Sequence, residues 1–210
     1  RNSILEIDSD SNTLSAEALK HGWHVCSALN LGSGYDLMTE KGRKRAWYKI
    51  KQELPDVIIC KWQFAPCSTD SNQQTLVPLV QWFADVSQWQ IDRGRTFVGE
   101  QVAICDTWKT SVLRPLVAKN KTTLLNLSNY GLSGPFAKAP YRMNTKLVHN
   151  SNTLDDALGK LVVPASQLRR EKRTGNLAPS QCSFAGWYSQ RFCEQFLDGL
   201  GDSMIPLTDS

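Results

Sequence analysis

The sequence holds no apolar run approaching the roughly eighteen residues of a membrane-crossing helix, so a membrane-spanning helix is excluded. Its polar opening, Arg1-Asn2-Ser3 ahead of a strand-like Ile4–Ile7, does not read as a secretory leader and is expected to be a domain edge. An intracellular location, cytoplasmic or nuclear, is expected. The six cysteines, Cys26, Cys60, Cys67, Cys105, Cys182 and Cys193, form no CxxC pair and stand near no histidine cluster of zinc-site spacing. They read as reduced thiols, and the Asn-x-Ser/Thr triplets at Asn120 and Asn126 are discounted as glycosylation signals. Histidine is scarce: His21 and His24 flank Gly22-Trp23, and His149 lies in a polar segment. No metal site is expected, and no internal repeat is present.

What is there suits one folded domain. A chain of 210 residues with 41% hydrophobic content can bury a sizeable core. The net charge of +4, with a pI near 8.7, permits a nucleic-acid partner without requiring one. Ile4–Ile7 reads as a strand, residues 8–12 as a polar loop, and Thr13 or Ser15 as the cap of a helix reaching Gly22. A second strand is expected over Val25–Leu31, and a basic-faced helix over Glu40–Leu54, ended by Pro55. Asp56–Cys60 is the clearest strand, its continuous apolar run fitting a central parallel position covered on both faces. A long helix is expected from Leu76 to Asp92, with Trp82, Phe83, Val86 and Trp89 at helical spacing, then a strand over Thr96–Gly99. Further on come a helix around Trp108–Val117, a strand over Thr122–Leu127, a loop at 131–140 and a closing helix from Tyr188 to Leu200. The division is an α/β core over residues 1–163, a basic loop or linker over 164–182 containing Arg169-Arg170-Glu171-Lys172-Arg173, and a C-terminal helix within 183–210 that packs back.

The order of landmarks resembles the cytosine-5 DNA methyltransferase superfamily, especially the shortened, divergent copies in retroelement polyproteins. The residues that carry it are Leu5-Glu6-Ile7-Asp8, Gly22-Trp23, Gly34-Tyr35-Asp36-Leu37, Pro55-Asp56-Val57-Ile58-Ile59, and Arg93 to Glu100. Later come Tyr130-Gly131-Leu132, Arg142 to Leu147, and Trp187 to Cys193. The resemblance spans nearly the whole chain and implies a Rossmann-like methyltransferase fold, a mostly parallel sheet with helices on both faces. Fold does not settle function.

In that family a cysteine thiolate attacks the base and an acidic residue steadies the ring while S-adenosylmethionine supplies the methyl group. Ungapped matching from Asp56 puts Phe64 at the nucleophile's place, where a phenyl ring cannot act. A shifted match would make Cys67 the nucleophile. Glu100 falls on the family's conserved glutamate at a strand end, where a ligand-facing carboxylate belongs in an open α/β sheet. At the degenerate cofactor site, which begins at Asp8, the loop after the first strand carries Asp10 and Asn12 where the family has glycines, and neutral Asn30 replaces the acid that binds ribose hydroxyls.

These departures favour a degenerate, non-catalytic module that binds nucleic acid or a protein partner, with no cofactor expected. Arg142, Thr145 and Lys146 are the candidate nucleic-acid contacts, supported by the Arg169–Arg173 cluster, and Trp62 and Phe64 could stack on bases or fill the core. One alternative is an active cytosine-5 methyltransferase using Cys67 and Glu100, with S-adenosylmethionine in a surviving pocket and the target base flipped out. The other is a structural part of a larger assembly, offering its seven tryptophans as contact surface.

Overall fold

The computed structural model describes residues 2–9, 11–61, 73–103, 105–127, 144–158 and 188–201. Within them lie strands β1 (Ser3–Ile7), β2 (His24–Val25), β3 (Val57–Lys61), β4 (Thr96–Val102), β5 (Lys121–Asn126) and β6 (Asn144–His149). They form one sheet in the order β2-β1-β3-β4-β6-β5. The pairs among the first four strands are parallel, and β6 runs antiparallel to both β4 and β5. The helices are α1 (Thr13–Lys20), α2 (Glu40–Glu53), α3 (Gln73–Asp92), α4 (Arg114–Lys119), α5 (Leu154–Leu158) and α6 (Gln190–Gly201).

Side chains of a strand alternate between the two faces of its sheet, and here both faces are apolar. Ile4, Val57, Ile59 and Val98 share a core with Leu14 and Ala18 of α1, Leu154 of α5, and Phe192 and Phe196 of α6. Leu5, Ile58, Cys60 and Phe97 pack instead with Ile50 of α2, Phe83 and Val86 of α3, and Leu116 of α4. The chain is therefore α/β with a mostly parallel sheet and helices on both faces, the architecture expected from its sequence. Asp56 sets the register at the amino edge: it accepts from the Ser3 amide at 2.9 Å and the Ser3 hydroxyl at 2.6 Å. On the first face α5 and α6 approach so closely that a Cβ on Gly199 would stand 2.6 Å from the Ala157 Cβ.

Several elements differ from expectation. The ladder of β2 stops at Val25 and does not run to Leu31. Cys26 donates to Ile4, and the next amide to reach β1 is that of Leu29, bonded to Glu6, one residue more than a regular ladder uses. This is a bulge. Glu53 of α2 holds it, accepting from both the amide and the hydroxyl of Ser27. The helix expected over Trp108–Val117 begins only at Arg114, with Pro115 in its first turn, where the missing amide has no intrahelical partner to lose. A short 3-10 turn, Asp106–Lys109, precedes it. Strand β4 continues past Gly99 to Val102, taking Glu100 into the ladder. β6 and α5 were not anticipated. Residues 164–182 lie outside those described, as does the 131–140 loop.

Candidate functional site

The sheet order creates a place for a ligand. From β1 the chain crosses to β2 on one side, and β3 then returns to lie on the other side of β1. In open α/β sheets the crevice at such a reversal, outside the carboxyl ends of the strands, is where ligands bind. Three charged side chains stand at these ends: Glu6 of β1, Lys61 of β3 and Glu100 of β4. By alternation with Ile4, Ile59 and Val98 they face α1 and α6. Lys61 and Glu100 are register partners. All three residues are almost wholly buried.

Helix α1 begins directly above Glu6. Its N-cap residue, Asn12, makes no side-chain capping bond. Glu6 takes that role from the strand below, its Oε1 accepting from the Ser15 amide at 2.7 Å and the Ser15 hydroxyl at 2.6 Å. A carboxylate is well placed there, because the first amides of a helix lack partners and its dipole favours negative charge. The other oxygen, Oε2, lies 3.4 Å from the Lys61 Nζ. Lys61 also donates to the Ser9 hydroxyl at 3.1 Å, and its ammonium sits 3.8 Å from the centre of the Tyr188 ring. The crevice thus contains a linked set of the protein's own groups, running from α1 through β1 and β3 to Tyr188, two residues ahead of α6.

The two carboxylates experience this environment differently. Burial alone would raise the Glu6 carboxyl, but the Lys61 ammonium and hydrogen bonds from Ser15 and Ser9 outweigh it and hold it below its ordinary value. For Glu100 burial dominates and pushes the carboxyl up to about 7; Lys61 pulls it down, and the Glu6 charge pushes it further up. Its Oε2 makes no hydrogen bond. One cation serves two buried acids, and Glu100, without the hydrogen bonds that hold the Glu6 carboxyl low, titrates near neutral pH.

The sequence-derived site residues fall into three groups. Glu100 lies within β4, beside its register partner Lys61. Asp8 and Asn12 bracket the β1–α1 loop, and both adopt left-handed backbone conformations, with φ of 60° and 48°. The loop keeps glycine-like geometry through two residue types that tolerate it, and adds side chains where glycines would leave space. Asn30 uses both ends of its amide: Nδ2 donates to the Ser9 carbonyl at 2.7 Å, and Oδ1 accepts from the Ser33 amide at 2.8 Å. Thr145 and Lys146 do not share a surface. As neighbours in β6 they point to opposite faces. Thr145 is buried with no bond to its hydroxyl, while Lys146 lies over the Trp108 ring and burial holds its ammonium below the ordinary range. Asp10, Phe64, Cys67 and Arg142 lie outside the described residues, as do Trp62 and Arg169–Arg173.

Glu6, Ser9, Ser15 and Lys61 were not singled out from sequence. The available signal was a charged residue inside an otherwise apolar strand run, Ile4-Leu5-Glu6-Ile7 and Val57-Ile58-Ile59-Cys60-Lys61, since a buried charge is retained only with a partner. His149 is fully buried, its Nε2 2.9 Å from the Thr123 hydroxyl and 3.2 Å from an Asp155 oxygen. Burial pushes its pKa down, against the pull of Asp155. The described cysteines, Cys26, Cys60, Cys105 and Cys193, are buried. Among the described residues no group of three His, Cys, Asp or Glu side chains could hold a metal ion, and no helix is long and apolar enough to cross a membrane. No protein-family model matches the chain, and no curated protein sequence matches it.

Proposed function

We propose that the chain is a degenerate methyltransferase-like module that works by binding a macromolecular partner and not by methyl transfer. The observation that carries this reading is the occupied crevice. The helix N-terminus that follows β1, a ready anion site in this architecture, already holds the Glu6 carboxylate, and the buried Lys61 ammonium fills the space beside it. S-adenosylmethionine does not fit this donor set. An incoming carboxylate would compete with Glu6 for the Ser15 amide, and breaking the Glu6–Lys61 pair would leave a buried charge uncompensated. The side chains at Asp8 and Asn12, and the fully engaged Asn30 amide, support the same reading. Calorimetric titration with S-adenosylmethionine and S-adenosylhomocysteine tests it. No heat above dilution is expected up to millimolar ligand, whereas micromolar binding of either compound overturns the reading.

A second reading, an active cytosine-5 methyltransferase with Cys67 as nucleophile, is favoured by one observation. Glu100 is a buried carboxyl at a strand end whose proton is half-dissociated near neutral pH, and strongly perturbed acids in such positions cluster at functional sites. Micromolar cofactor binding, together with methyl transfer to DNA lost in Cys67→Ser, would establish it.

A further inference from the structure

Positive charge is concentrated in two stretches, α2 and the Arg169–Arg173 cluster, of which α2 lies among the described residues. The chain carries 24 lysines and arginines against 20 acids, a net +4, and α2 alone carries six basic residues against two acidic ones, also a net +4. The remaining chain balances. Ala46 and Ile50 turn the apolar side of α2 into the core, so the opposite side is displayed to solvent. That side presents Lys41, Lys44, Arg45, Tyr48, Lys51 and Gln52, all exposed and spaced as one helical face. At about 1.5 Å per residue the charged row is about 15 Å long.

Two features go beyond solvation of a surface helix. Four of the six cations, Lys41, Arg43, Arg45 and Lys51, form no ion pair with a carboxylate among the described residues, while Lys44 and Lys49 pair with the helix's own Glu40 and Glu53. Aromatic rings are interleaved with the charges. Tyr48 is 65% exposed in the middle of the row. Beside it the Lys51 ammonium lies over Trp47, which contacts Trp89 of α3 at 5.7 Å, and Trp89 is in turn covered by the exposed Arg93 guanidinium at 4.2 Å. Cations that follow a phosphate backbone, with rings on which bases stack, are what a single nucleic-acid strand requires. A membrane surface fits less well. An interfacial helix inserts an apolar face, and the apolar face of α2 is used against the sheet.

We propose that the outer face of α2, with Arg93 at its margin, is a binding surface for single-stranded nucleic acid, with Lys41, Arg45 and Lys51 along the phosphates and Tyr48 stacked on a base. This gives the binding-module reading its partner and rests on it, but the two are separable: cofactor binding refutes that reading without touching this surface, and the reverse holds for the following experiment. Fluorescence anisotropy of a labelled twenty-nucleotide deoxythymidine oligomer is measured against the whole chain over a salt series. Wild type is expected to bind, with affinity falling steeply as salt rises. Arg45→Glu with Lys51→Glu should weaken binding at least tenfold and flatten the salt dependence. Tyr48→Ala should weaken it by about five-fold or more, the size of one lost base stack, and leave the salt dependence unchanged. Lys109→Glu, an exposed charge reversal away from α2, should bind like wild type, and unchanged circular dichroism melts establish that every variant is folded. The proposal is overturned if wild type does not bind at 50 mM salt or if the α2 variants bind like wild type. Capture by phosphatidylserine vesicles with no oligomer binding also overturns it, and assigns the face to a membrane.

Discussion

Glu100 stores a pH dependence in one side chain. Its carboxyl titrates at about 7 in the folded protein and at an ordinary 4.5 when freed from burial. Between these values the folded chain holds a proton that the unfolded chain has released, so this contribution to stability is complete below pH 4.5 and is lost as pH rises through 7. The displacement corresponds to about 3 kcal/mol. Glu6 acts in the opposite sense: its depressed value favours the fold above its ordinary range and less so in acid. His149, held neutral by burial, acts in the same sense as Glu6 and loses its contribution to the fold as pH falls. Comparison with Glu100→Gln isolates the one carboxyl. In urea denaturation the variant should gain stability over wild type at pH 8 and lose that advantage at pH 5. An equal difference at both pH values would mean that Glu100 is ionised throughout. The place of Glu100 beside a strand was legible in the sequence from the apolar run that precedes it; its titration was not, because its burial and the charges of Glu6 and Lys61 beside it are invisible locally.

At the scale of elements, local chemistry explains most boundaries, and the exceptions have causes. Thr39 caps α2 by accepting from the Gly42 amide, and Leu54 ends the helix in a left-handed conformation at φ 46°. A leucine there is costly, since its Cβ crowds the following carbonyl by roughly 1–2 kcal/mol, and helices commonly close on glycine for that reason. Leu54 is 44% exposed, so little packing is at stake. Leu54→Gly is expected to stabilise the protein by about 1 kcal/mol, read as a higher urea midpoint with an unchanged slope; destabilisation would show that the leucine side chain packs more than its exposure implies. Strands β1 and β3 could be read from their apolar runs. The shortness of β2 could not, because the bulge that ends it is held by Glu53 from a helix 26 residues away. Nor could β6, since Asn144-Thr145-Lys146 is polar and becomes a strand by pairing on both sides with β4 and β5.

At the scale of the molecule, the Glu6–Lys61 pair ties together layers that the chain visits far apart. Removing one partner of a buried pair usually costs about 3–5 kcal/mol, because the other is left as an uncompensated charge, whereas removing both is far milder. Lys61→Met should therefore be strongly destabilising, and adding Glu6→Gln should recover a large part of the loss, with the glutamine oxygen still able to accept from Ser15. A double-mutant cycle in urea measures this coupling. Additive losses would mean that the pair contributes nothing beyond its separate contacts, and the occupied crevice would lose its energetic meaning.

The sequence by itself determined the α/β alternation, the strands buried on both faces, the helix stops at Pro55 and Gly94, and the concentration of positive charge on α2. These are properties of near neighbours in the chain, set by periodicity, capping and composition. Only the tertiary structure decided that Glu6 caps α1, that Lys61 closes the crevice beside it, that the Glu100 carboxyl titrates near neutral pH, and that Thr145 and Lys146 part to opposite faces. Each depends on which strand lies beside which and on how much water is excluded. Those outcomes follow from the sheet order and the packing of α6, which no local pattern specifies.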